Sequence, residues 1–248
     1  VMALLVANIA PLVRAFPEAI KTALLQKSSM AVIATLLTVG VVVGAYNGVC
    51  ALGRVASIFL PVAAAFILGF FVILIPFYDV NNLFPAAVAK NLTAGSASLS
   101  VFSDIFAANL LLPYTSSSRC VKSAGLCAVF ISIISSAAIL LAYCLTYPYP
   151  ASTSFIVPMY QLARIVKIGV YFQRLESIFE FVWSLAIFLY TSVYLFLICD
   201  VFRRSFDFRE YKPFVIPSAQ ILMYFVFREG SYVHAFGAAG IVADGLFA

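Results

Sequence analysis

The sequence predicts an all-α fold, a polytopic membrane helix bundle, on three observations. Of its 248 residues, 64% are hydrophobic and only 10% are charged, against about 45–50% and about 25% in an ordinary soluble domain. So few charged side chains cannot supply a soluble domain of this length with a polar surface, which leaves lipid as the solvent. Several apolar runs approach or exceed the roughly 20 residues that a helix needs to cross about 30 Å of hydrocarbon. Finally, runs such as Ala31 to Tyr46 lack the apolar–polar alternation of a membrane β-strand, so the spans are helices. One transmembrane domain is expected over residues 1–248.

Taken in order, Val1 to Phe16 reads as the end of a span, followed by a polar segment, Pro17 to Ser29, that holds Glu18, Lys21 and Lys27. Met30 to Cys50 and Ala51 to Tyr78 read as two spans separated by a tight turn around Asn47, Gly48 and Arg54. Pro61 is a kink point in the second. Asp79 to Asn91 is amphipathic and broken by Pro85. It precedes the small-residue tract Thr93–Ser98 and an apolar run to Leu112, together a broken span. Lys122 to Leu145 is a clean span, and the proline- and tyrosine-rich loop after it is extramembranous. From Phe155 to Arg174, Arg164, Lys167 and Arg174 interleave with apolar residues, as in a helix at the interface or beside a polar cavity. Leu175 to Phe202 crosses, Tyr211 to Phe227 is a further span, and Gly230 to Ala248 is a weaker one with His234 and Asp244.

A formal charge of +5 could point to nucleic acid, but the basic residues sit at span ends, so no nucleic-acid partner is expected. The cluster Arg203, Arg204, Arg209 and Lys212 marks the cytoplasmic side. Alternation then puts Arg119 and Lys122 inside, and Arg14, Lys21, Lys27, Arg164 and Arg174 outside. Five scattered cysteines without a CxxC pair read as small hydrophobes. With one histidine, His234, the chain assembles neither a His-based metal cluster nor a catalytic triad. No serine or cysteine stands in a nucleophile elbow. A non-enzymatic protein without cofactor or metal is expected. Val1 lies within an apolar stretch that lacks the basic n-region and cleavage site of a signal peptide, so upstream sequence is expected.

The stretch RIVKIGVYFQRLESIFEFVW, Arg164 to Trp183, resembles the signature of the spore germination receptor B-subunit family, in which an R-I-x-x-G-x-F-x-x-R-x-E pattern precedes a tryptophan-bearing span, with one residue more here between Ile165 and Gly169. Arg164, Gly169, Arg174 and Glu176 carry the match, and Tyr171 and Phe172 occupy the aromatic positions. Supporting elements stand in the family's order: LVRAFPEAIK at Leu12 to Lys21, the GxxxxGR turn from Gly48 to Arg54, NLFP at Asn82 to Pro85, and YKPFVIP at Tyr211 to Pro217. The resemblance implies the inverted-repeat fold of the amino acid, polyamine and organocation transporter superfamily. Val1 to Phe16 would be the third of its ten helices, so the first two would be absent. Such folds bind ligand where helices break near the bilayer midplane.

On that alignment Thr93, Ala94, Gly95, Ser96, Ala97 and Ser98 occupy the break of the sixth helix, where small residues let backbone groups meet a small zwitterion. Close helix packing explains the same residues equally well. Tyr190, Thr191, Ser192 and Tyr194 form a polar patch in the eighth helix, whose hydroxyls either contact ligand or bond their own backbone. Asp104, Glu176 and Glu180 stand out as ionisable groups within or beside spans. Arg164, Arg174 and Glu176 read as structural or conformational ion-pair partners. The resemblance implies a nutrient-sensing subunit in the spore inner membrane that binds a small amino acid-like ligand. Receptor A and C subunits would be its partners. A secondary amino acid transporter of the same fold is the alternative, and a scaffold with a vestigial pocket is a third reading.

Overall fold

In the computed structural model the described residues are 1–25, 27–83, 104–115, 118–148, 158–166 and 175–228. Among them every regular element is helical: α1 (Met2–Ala23), α2 (Met30–Asn47), α3 (Val49–Leu74), α4 (Asp104–Leu110), α5 (Ser118–Thr146), α6 (Pro158–Ile165), α7 (Leu175–Ser205) and α8 (Val215–Arg228). Short 3-10 turns occur at Ile75–Phe77, Val80–Leu83, Leu112–Tyr114 and Lys212–Phe214. The chain is an all-α membrane helix bundle. Four segments are long and apolar enough to cross a bilayer: Met30–Asn47, Val49–Phe77, Lys122–Thr146 and Glu176–Ser205.

The chain forms two compact units, one of residues 1–57, 99–116 and 184–248, the other of residues 58–98 and 117–183. α1 belongs to the first. Its buried Leu5, Ile9, Val13 and Phe16 recur every three or four residues and make one apolar stripe. The apolar run predicts an end at Phe16, yet the helix continues through Pro17 to Ala23. A polar turn outlasts the apolar run because its charges are used locally. Arg14 pairs with Glu18 one turn on at 2.7 Å, and Thr22 Oγ1 donates to the Glu18 carbonyl at 2.7 Å.

α2 is capped by Ser29, whose side chain accepts from the Ala31 amide at 3.3 Å. It ends at Gly48, with φ 83° and ψ 167°, a backbone region essentially restricted to glycine. This single residue turns α2 into α3. Arg54, expected in the turn, is one turn inside α3 instead. α1, α2 and α8 pack on one another, and the core of the unit runs from Leu5, Ile9 and Val13 through Val41 and Ala45 to Leu195–Cys199, Val215 and Leu222.

In the second unit, Phe70 and Leu74 of α3, Tyr143 of α5, Leu162 and Ala163 of α6, Val166 and Phe179 form the core. The 3-10 turn Val80–Leu83 is tied to the end of α5: the Asp79 amide and Asn82 Nδ2 both donate to the Leu145 carbonyl, at 2.9 and 3.0 Å. Leu126, Phe130, Ile131, Ile134, Leu140 and Leu141 of α5 are exposed, an apolar surface suited to lipid.

Helices in lipid gain little from apolar burial against each other and depend on close packing through small residues. α2 and α7 meet this way: a Cβ at Gly44 would stand 2.5 Å from Ser192 Oγ and 3.0 Å from Ser192 Cβ. Gly44→Ala is therefore expected to destabilise the protein by about 1–3 kcal/mol through overpacking. Thermal unfolding of the purified protein in nanodiscs, with Gly53→Ala as an unhindered control, checks this, since nothing lies within 4 Å of a Cβ at Gly53.

Candidate functional site

The polar patch of α7 divides between faces because successive helical residues turn by about 100°. Tyr190 and Tyr194 share a face one turn apart, and their ring centroids lie 4.7 Å from each other. The Tyr194 hydroxyl accepts a hydrogen bond from Asn8 Nδ2 of α1 at 3.0 Å. Both tyrosines line a cavity of about 370 Å³ within the first unit. Its walls are Val49, Leu52, Gly53 and Ala56 of α3, Ala107 and Ala108 of α4 with the following Leu111, and Leu189, Val193 and Leu197 of α7.

Thr191 and Ser192 have other fates. Ser192 is fully buried, donates to the Phe188 carbonyl at 2.7 Å and packs on Gly44, so its hydroxyl serves helix packing. Thr191 is buried, and its Oγ1 has no hydrogen-bond partner among the described residues. The tract Thr93–Ser98 lies outside the described residues, which resume at Asp104 with α4. The cavity can therefore receive an apolar group beside two phenols, and none of its described lining residues is charged. Among the described residues no group of three or more His, Cys, Asp or Glu side chains could hold a metal ion.

The family profile described as spore germination protein, of the spore permease type, matches residues 2–231. The chain belongs to the spore germination protein family. No curated protein and no solved structure gives a match.

Of the signature residues in this spore germination protein, Arg164 is exposed at the last turn of α6 and Glu176 is half-buried in the first turn of α7. Gly169 and Arg174 lie outside the described residues, as does His234. Tyr147, just after α5, donates from its hydroxyl to the Gln161 carbonyl of α6 at 3.1 Å.

Near the C-terminal end of α7 the structure assembles a charged cluster that the sequence pattern alone does not single out. Asp200 is 1% exposed. Its Oδ1 accepts from Arg203 Nη2 at 2.8 Å and Nε at 3.1 Å, and its Oδ2 pairs with Arg204 Nη2. The available signal is an acid three and four residues before two arginines, a spacing that places all three on one helix face. By charge bias alone the arginines mark only a cytoplasmic end. Arg204 also lies 5.6 Å over the Tyr114 ring. Tyr114 packs edge-on against Phe196, and Phe196 against Tyr211, at 5.4 and 5.1 Å between centroids. Tyr211 in turn donates to the Tyr46 carbonyl at 3.3 Å, which closes the network over the α2–α3 turn.

Removing Asp200 leaves two arginines about one-third exposed, which can turn to water, whereas removing both arginines strands a buried carboxylate. Asp200→Asn is expected to cost about 1–3 kcal/mol, and Arg203→Gln with Arg204→Gln to cost more. Denaturation of the three proteins in matched nanodiscs gives the order.

Burial raises the Tyr211 phenol above its ordinary value. Burial, and then a hydrogen bond to Asp200, raises Tyr114. A raised folded-state value contributes stability that is fully present below the unfolded value of about 10 and is lost as pH rises through the folded value. The melting temperature should fall above pH of about 10, and fall less steeply in Tyr211→Phe, as a pH series of thermal melts would show.

Proposed function

We propose that this spore germination protein is the membrane-embedded nutrient-sensing subunit of a germinant receptor, a multi-pass protein of the spore inner membrane that binds its ligand without converting it. The ligand is a small amino acid-like nutrient. The observation that carries this reading is the cavity lined by Tyr190 and Tyr194 of α7, in which no described lining residue is charged. α4 begins a few residues beyond the Thr93–Ser98 tract. In this reading the cavity takes the ligand's side chain, and the Thr93–Ser98 tract, outside the described residues, is proposed as a ligand contact on the family resemblance alone. Irregular backbone is tolerated at membrane depth where it faces protein or a cavity.

Sensing requires that the ligand bind two conformations with different affinity. The receptor A and C subunits read out that shift. Arg164, Arg174 and Glu176 serve in this reading as ion-pair partners that hold one conformation. Ligand access then depends on Tyr194, which α1 already holds through Asn8.

Tyr194→Phe deletes one hydroxyl and keeps the ring. It is expected to weaken binding of labelled amino acid by about 2- to 10-fold, the worth of one hydrogen bond. The measurement is equilibrium binding to the full-length protein assembled with its A and C partners in nanodiscs. Saturable binding without flux supports the sensor, uptake of the label into proteoliposomes indicates a transporter of the same fold, and absence of binding removes the reading.

A further inference from the structure

Glu180 stands one turn into the Glu176–Ser205 span, in the second unit. It is 2% exposed, and neither carboxyl oxygen has a hydrogen-bond partner among the described residues. Its neighbours along α7, Phe179 and Trp183, belong to the aromatic and aliphatic cluster of that unit. Among the described residues the ionisable groups there are the phenols of Tyr78, Tyr143, Tyr147 and Tyr160, which join the cluster, and Glu176, half-buried one turn earlier. Asp79, Lys122 and Arg164 are exposed, and no described cation forms an ion pair with Glu180. Asp200 of the same helix is as deeply buried but is matched by two arginines.

An isolated carboxylate away from water costs far more than the neutral acid, so such a group gives up its charge when nothing pairs with it. We propose that Glu180 is a proton-binding site: its carboxyl carries a proton in this conformation and releases it to water only when the first turns of α7 come away from their packing. The step is a transfer of one proton from the carboxyl O–H to water, leaving a hydrated carboxylate. The packed conformation binds the proton and the opened one does not, so rising pH favours opening. While the opened state is ionised, the packed state still holds its proton and the opened form is the minority, each pH unit multiplies the opened fraction by about ten.

Full-length protein carrying 13C-carboxyl glutamate, reconstituted in nanodiscs, tests this by infrared difference spectroscopy at neutral pH. The expected result is a protonated-carboxyl C=O band that shifts with the label and in D2O and is absent from Glu180→Gln, whose amide matches the neutral acid in shape. Hydrogen exchange across Leu175–Trp183 should accelerate with pH in the wild type and lose that dependence in Glu180→Gln. A wild-type spectrum without any protonated glutamate band at neutral pH overturns the proposal even if the variant fails to fold. So does a band that survives in Glu180→Gln, or exchange whose pH dependence beyond intrinsic chemistry is the same in both proteins.

Discussion

α2 and α7 approach each other where Gly44 presents no side chain to Ser192, a contact with no room for even one added methyl group. Lipid tails are as apolar as the helices, so contact between helices must come from close packing and satisfied polar groups. Ser192 meets both demands. Its hydroxyl is bonded to the Phe188 carbonyl of its own helix, so its own donor is satisfied, and its small volume keeps the backbones near. Gly40, one turn before Gly44, is similarly close to another α7 side chain: a Cβ there would lie 3.2 Å from the Phe188 ring. With α7 held on this side, Tyr190 and Tyr194 are turned toward α3 and α4, and Asn8 of α1 fixes the second phenol.

The far end of α7 solves a different problem. A carboxylate near a span end is tolerable when cations neutralise it, and long arginine side chains can do so while reaching water. Arg203 and Arg204 remain 31% and 36% exposed while Asp200 is 2% exposed at its side chain. The pair also suits the negative end of the helix dipole. Aromatic edges from Tyr114, Phe196 and Tyr211 then carry the packing from this cluster to the Gly48 turn, where a Cβ would stand 3.0 Å from the Tyr211 hydroxyl. Gly48 is thus required both by its backbone angles and by its neighbour. Lys212, 5.0 Å over the Tyr46 ring, covers the same turn.

Glu180 and Asp200 are acids in one helix with opposite surroundings. The difference lies in the next helical turn toward the C-terminus: it brings two arginines to Asp200, and Trp183 and Ser184 to Glu180. A helix supplies its own counter-ions only at three- and four-residue spacing. Without them the charge state is left to the surrounding packing, and a change in that packing becomes a change in proton binding.

Membrane class, helical character and the approximate places of α2, α3, α5 and α7 were legible in the sequence because they depend on the length and composition of apolar runs, which are local properties. The family was legible too, through ordered motifs spread over most of the chain. Side-chain roles within a span were not. Tyr190, Thr191, Ser192 and Tyr194 look alike as a polar patch, yet two line a cavity, one serves packing and one is buried with no hydrogen-bond partner for its hydroxyl among the described residues. Which of these happens depends on how α7 is rotated, and rotation is set by neighbouring helices far away in the sequence. Extended apolar runs also hide helix ends, as the continuation of α1 through Pro17 illustrates, because a local Arg14–Glu18 pair can carry a helix past the end of its hydrophobic stretch. Burial of Glu180 and pairing of Asp200 belong to the same division. Composition announces a charge in a span, and only tertiary packing decides what surrounds it.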